Sequence, residues 1–151
     1  MKITKRGEYA IRSLLALSHT YGQKTLSLRQ IAEHEKLPVK FLEQIMMTLK
    51  QGRIVESVKG KHGGYSLRRS PDKITLGEII RMIDGPLAPI GTAKEMEKQM
   101  QKEELHPGLY FVLLQVRNAI SKILDKITLA DVCEKSSEIN RSRRSSPMYY
   151  I

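Results

Sequence analysis

Between Lys59 and Arg69 the chain reads KGKHGGYSLRR, with Gly60, Gly63 and Gly64 set among Lys59, Lys61, His62, Arg68 and Arg69 and followed by Tyr65. Cations gathered this closely suit one kind of chemistry, the neutralisation of phosphate oxygens, and glycines let the backbone turn with positive dihedrals and lie close to another surface. A narrow minor groove or a phosphate rail is the natural counterpart. Upstream, Val39, Lys40, Glu43 and Gln44 offer a second kind of chemistry. Gln44 can bond adenine, Glu43 can accept from the cytosine amino group, and Lys40 can take a phosphate or guanine. Arg29, and more weakly Lys5 and Arg6, would add phosphate contacts. Taken singly, each set has a plainer reading as a solvated helix face or a solvated turn. Their succession favours nucleic acid: a helix begun by Pro38 follows a capped helix and precedes a strongly basic turn.

Other chemistries lack their residues. His19, His34, His62 and His106, with the single Cys133, show no metal-site spacing, so no metal and no cofactor is expected. The chain has no nucleotide-binding glycine loop, no Ser or Cys beside a base in sequence, and no carboxylate pair in an apolar frame. An enzyme is therefore not expected. Met46 and Met47 lie at helical core spacing and need no cofactor to explain them. Cys133 reads better as a buried inert thiol than as a redox switch.

The elements that must position these residues follow from periodicity and caps. Thr4 can cap a helix running to about Tyr21, with Tyr9, Ile11, Leu14, Leu15 and Leu17 on its apolar face and Gly22 as its stop. Ser27 and Gln30 form a capping box for a short second helix with Leu28, Ile31 and Ala32 inward, broken at Leu37–Pro38. VKFLEQIMMTLKQG puts Phe41, Leu42, Ile45, Met46 and Leu49 at helical spacing. IVESV and YSLRR then read as a hairpin, and Thr75 with Glu78 as a second capping box before a helix that stops at Gly85. The fold class is mainly α with a small β-hairpin wing: a winged helix-turn-helix over residues 1–84.

Residues 85–108 read as a linker or effector-type loop, turn-rich at first and then charged with weak helical character. Residues 109–151 hold a long dimerisation helix and a C-terminal tail. In that helix Leu109, Leu113, Val116, Ile120, Ile123 and Ile127 recur at alternating steps of four and three, the seam of two helices packed together. Phe111, Val112, Leu114 and Leu124 widen the stripe, so the helix is expected to pack on its own domain and on a partner copy. Thr128 and Asp131 restart a short helix.

Composition agrees. In 151 residues, 26 Lys and Arg stand against 16 Asp and Glu, a net charge of +10, which draws the chain toward polyanions. The excess lies in residues 1–84, at net +8, with only +2 beyond. No apolar run is long enough to span a bilayer, and the N-terminal stretch is interrupted by charges, so a cytoplasmic protein with no membrane contact is expected.

The stretch FLEQIMMTLKQGRIVESVKGKHGGYSLRRSPDKITLGEIIRMIDG, with the start MKITKRGEYAIRSLLAL and the later ITLADV, resembles the Rrf-two family of bacterial repressors. The resemblance covers most of the chain. It implies a homodimer with a winged helix-turn-helix at each end, a long dimerisation helix, and a partly palindromic double-stranded DNA operator. Cluster-bearing members place three close cysteines in the segment matching 85–108, where this chain has none, so no iron–sulfur cluster is expected. The cluster-free branch is similar to cysteine-metabolism repressors, whose aromatic-aromatic-isoleucine tail matches PMYYI here. That likeness implies cysteine synthase as a partner for Met148, Tyr149, Tyr150 and Ile151, beside the plainer reading that these residues pack on their own core. A small-molecule effector is a further partner to test. The competing function is a protein-interaction subunit whose contact with DNA is non-specific.

Overall fold

A computed structural model describes residues 3–87 and 91–145; the tail Met148–Ile151, and with it the partner-docking expectation, lies outside the described residues. Helix α1 (Lys5–His19) starts where the Thr4 hydroxyl accepts from the Gly7 amide, and it buries Ala10, Leu14 and Leu17. Helix α2 (Leu28–Glu35) carries the full Ser27–Gln30 capping box. It ends because Lys36 turns left-handed (φ 53°), after which the Leu37 amide donates back to the Ala32 carbonyl at 2.9 Å. Helix α3 (Val39–Gln51) follows directly, with Pro38 at its N-cap. Strands β1 (Val55–Val58) and β2 (Gly64–Leu67) pair antiparallel, Val55 opposite Leu67 and Val58 opposite Gly64. A 3-10 turn at Pro71–Lys73 leads to α4 (Leu76–Asp84).

One core holds these pieces. Leu14, Leu17, Ile31, Leu42, Ile45, Met46, Leu49, Ile54, Ile74 and Ile79 are fully or nearly fully buried together. Truncating any one of these large side chains to alanine costs about 2–5 kcal/mol. The N-terminus of α1 is moored to the end of α4: the Asp84 carboxylate accepts from the Thr4 amide at 3.1 Å and from its hydroxyl at 2.5 Å.

Several expectations need correction. Phe41 and Met47 are 54% and 59% exposed, not core: Phe41 only lays an edge on Tyr9, at 6.4 Å between ring centres. Glu78 does not close a capping box, because its carboxylate takes the Arg69 guanidinium at 2.5 Å instead. The segment expected as a linker holds helix α5 (Ala93–Lys102), with a Thr92–Glu95 capping box and Met96 buried. Helix α6 (Pro107–Leu124) ends before Ile127, whose carbonyl accepts from the Leu76 amide at 2.9 Å, so Ile127 leaves the helical seam. The last helix, α7 (Leu129–Ser145), is 17 residues long, not short; its start packs on α1 and on the 3-10 turn.

Candidate nucleic-acid interface

The rotation of α3 is fixed by four buried side chains, Leu42, Ile45, Met46 and Leu49. With one face clamped to the core, Lys40, Glu43 and Gln44 must point outward, and all three are exposed. Met47, one turn beyond Glu43 and Gln44, is exposed on the same face. The sequence assigned it to the core because apolar character and spacing are the only signals available at that position. On this face it is an apolar group suited to a thymine methyl. Val39 is 44% exposed at the start of the helix. Arg29 lies exposed in the first turn of α2.

The hairpin is held at a fixed height beside these helices. Backbone bonds join it to the loop before α2: the Leu26 amide donates to the Tyr65 carbonyl at 3.0 Å and the Tyr65 amide to the Leu26 carbonyl at 2.7 Å. The Thr25 hydroxyl donates to the His62 carbonyl at 2.9 Å, and the Lys50 ammonium reaches the Ser57 hydroxyl at 2.6 Å. Lys59, Gly60, Lys61 and His62 form the exposed tip. A groove between this tip and the start of α2 is lined by Lys24, Ser27, Gln30, Lys61 and His62. It brings the cations of the tip and the capped helix start onto one surface. Lys24 and Thr25 were missed by sequence reasoning, since only the folded hairpin brings them beside residue 62.

Gly60 and Gly64 take the positive φ expected of them, +114° and +153°, but the close approach made by the two central glycines differs from the one expected. Gly64 sits at φ +153°, and a Cβ there would lie 2.5 Å from the Leu26 carbonyl oxygen; at Gly63 it would overlap the Val58 carbonyl. The close approach they permit is to the chain's own backbone. Tyr65 is half-buried against the core and helps hold the hairpin in place. Arg69 is engaged with Glu78 and with the Lys73 carbonyl at 3.2 Å, and Arg6 donates to the Thr48 hydroxyl at 3.0 Å. Lys5 pairs with Glu8 at 2.9 Å.

Helix α6 buries none of its side chains fully within one copy. Leu109, Val112, Val116 and Ile123 are 46–58% exposed and share one helical face. Leu113 and Ile120 are half-buried, since α5 lies along α6 and takes up that side of the stripe. Leu109, Val116 and Ile123 of the seam read in sequence are thus exposed within one copy, with Val112 beside them. Cys133 is partly buried on α7, and its burial pushes the thiol above its ordinary value against the opposing effect of a hydrogen bond with Ser18.

A helix-turn-helix with an outward polar recognition face, joined to a cationic two-stranded wing, defines the class: a winged-helix DNA-binding protein. A family profile described as Rrf2, iron-dependent transcriptional regulator, matches residues 3–135. The chain belongs to this family and is a transcriptional regulator. It is 32% identical to the HTH-type transcriptional regulator CymR of Bacillus subtilis over the full length of both chains. The solved structure of CymR, the global cysteine regulator of B. subtilis, superposes with a TM-score of 0.77 at 32% identity, covering 89% of this chain and 98% of that one. That of T. potens IscR gives 0.72 at 30% identity, covering 99% and 97%.

The family description names iron, and the residues present do not fit an iron–sulfur cluster. Such clusters are held by several thiolates. The one cysteine lies on α7 near Ser18 of α1, and residues 85–108 bring only His106 and no thiol. Among the described residues no three His, Cys, Asp or Glu side chains converge where a metal ion could sit. Nor, among them, is any helix long and apolar enough to cross a membrane.

Proposed function

We propose that the chain is a homodimeric repressor that reads two half-sites of a partly palindromic DNA duplex, with α3 in successive major grooves and the Lys59–His62 tip against the minor groove or its phosphates. The observation that carries this is the rigid pairing of two surfaces: a core-clamped α3 with Lys40, Glu43 and Gln44 outward, and a wing pinned through Leu26 with its cations outward. The exposed stripe Leu109, Val112, Val116 and Ile123 supports the dimer, because burying such a face against a second copy removes its apolar surface from water. Half-sites about one helical turn apart, roughly 34 Å, match a twofold assembly of this kind.

The repressor acts in the cytoplasm, without catalysis and without a cluster, and it governs genes of sulfur or cysteine metabolism. The full-length likeness to a protein named as a global cysteine regulator supports that choice of genes. The test is genome-wide mapping of bound sites, followed by titration of a labelled bound promoter fragment against random duplex. A bound set dominated by sulfur genes, and a preference of at least roughly a thousandfold for the promoter, are expected. A ratio near one would favour the assembly-subunit reading.

A further inference from the structure

Among the described residues, one ion pair links the DNA-reading unit to the end of the long helix. Arg81 on α4 reaches Asp125, at the C-terminal end of α6, with both terminal guanidinium nitrogens, at 2.6 and 2.8 Å. Gly77, one turn earlier on α4, lies beneath the carboxylate, and a Cβ there would overlap Asp125 Oδ1. Beside this pair the backbones join: the Leu76 amide donates to the Ile127 carbonyl at 2.9 Å, and the Leu129 amide to the Ile74 carbonyl at 3.0 Å. Apart from α5, the element on which α6 packs most is α4. One turn from Arg81 on α4, Glu78 holds Arg69, two residues past β2. Helix α4 thus carries an ion pair toward the wing and another toward the dimer helix.

The geometry points to Arg81–Asp125, seated over Gly77, as the positioning element that sets the angle between α6 and the DNA-reading unit, and so the half-site spacing the dimer accepts. The inference rests on the dimeric regulator reading above. The start of α7 anchors the chain beyond Thr128 on α1 and the 3-10 turn, but α6 itself touches α4 only near its end and can still pivot about the backbone bridge there. A planar two-point fork placed off that bridge removes the pivot, because both N–H···O bonds must keep their common plane. A lysine ammonium would keep the attraction without the plane. Both side chains are partly exposed, so the pair adds little to folding and acts mainly on geometry.

In-vitro selection from a random duplex library, using the full chain, tests this. Wild type should enrich two copies of one half-site at a single spacing. Arg81→Lys and Gly77→Ala, the second displacing the Asp125 carboxylate, should remain dimeric in sedimentation and enrich the same half-site, with spacings spread over neighbouring lengths. Preference for the best spacer should fall roughly fivefold or more, the lower end of coupling between distant parts. Arg81→Lys enriching the wild-type spacing with undiminished sharpness would overturn the inference, as would variants that lose the half-site itself, which marks a structural role only. A wild type that enriches no motif would instead remove the regulator reading underneath.

Discussion

At the scale of single residues, the proposed function divides the work of binding between the tip cations and the recognition face. Lys59 and Lys61 are solvent-facing charges on a turn, so their contribution comes from releasing counterions from phosphate. The double variant Lys59→Ala with Lys61→Ala should weaken binding to every duplex alike and lower the salt slope by roughly two. An unchanged slope in a titration at several salt concentrations would show that the tip does not touch DNA. Cys133 gives a prediction of the opposite character. Burial lifts its thiol above the ordinary value, so less thiolate is present at neutral pH than on a free cysteine. Alkylation at neutral pH should be slower than that of a free thiol and should accelerate only as pH rises through the raised value. A fast, pH-independent reaction would mark a sensor.

At the scale of elements, the wing depends on glycine where backbone passes backbone. Gly64→Ala sets a methyl against the Leu26 carbonyl at a positive φ, so it should cost about 1–3 kcal/mol in urea unfolding. A midpoint equal to wild type would mean that the Leu26–Tyr65 bridge is dispensable. The caps of the last helices give a pH prediction. Glu95 and Asp131 accept from the Thr92 and Thr128 backbone amides, and Asp125 from Arg81; each is held below its ordinary value. Depressed folded values mean that their stabilisation is complete above the unfolded carboxylate value of about 4. It is lost as pH falls from there through the folded values. The thermal midpoint should hold nearly level down to about pH 5 and then drop; a midpoint that stays level well below about pH 4 would show that these carboxylates contribute nothing.

At the scale of the whole molecule, one copy leaves the α6 stripe facing water while its basic surface lies in another part of the chain. Val116→Asp would place a charge in the middle of the stripe, and burying it unpaired is costly. The variant should sediment as a monomer with its fold intact and lose most of its operator affinity, since half-sites gain from being linked. A Val116→Asp chain that remains dimeric would move the interface elsewhere. The proposed role of the Arg81–Asp125 fork belongs to this scale too, because in a dimer the orientation of α6 would set the distance between two reading heads.

Local chemistry alone settled much of this protein. The Thr4 and Ser27 caps, the Leu37–Pro38 break and the alternation of the hairpin are short-range signals, and the charge excess in residues 1–84 already indicated a polyanion. Lys40, Glu43 and Gln44 lay legibly opposite a core stripe because helical periodicity requires it. What periodicity could not separate were apolar residues flanking that stripe: Phe41 and Met47 look like core until the neighbours decide how far the core reaches. Helix α5 was illegible for a related reason, since a charged stretch with one buried methionine becomes a firm element only by lying along α6. Long-range pairing decided the rest. That Gly63 and Gly64 serve Val58 and Leu26, that Arg69 is held by Glu78, and that Arg81 grips Asp125 depend on contacts between residues distant in sequence, which no local pattern encodes.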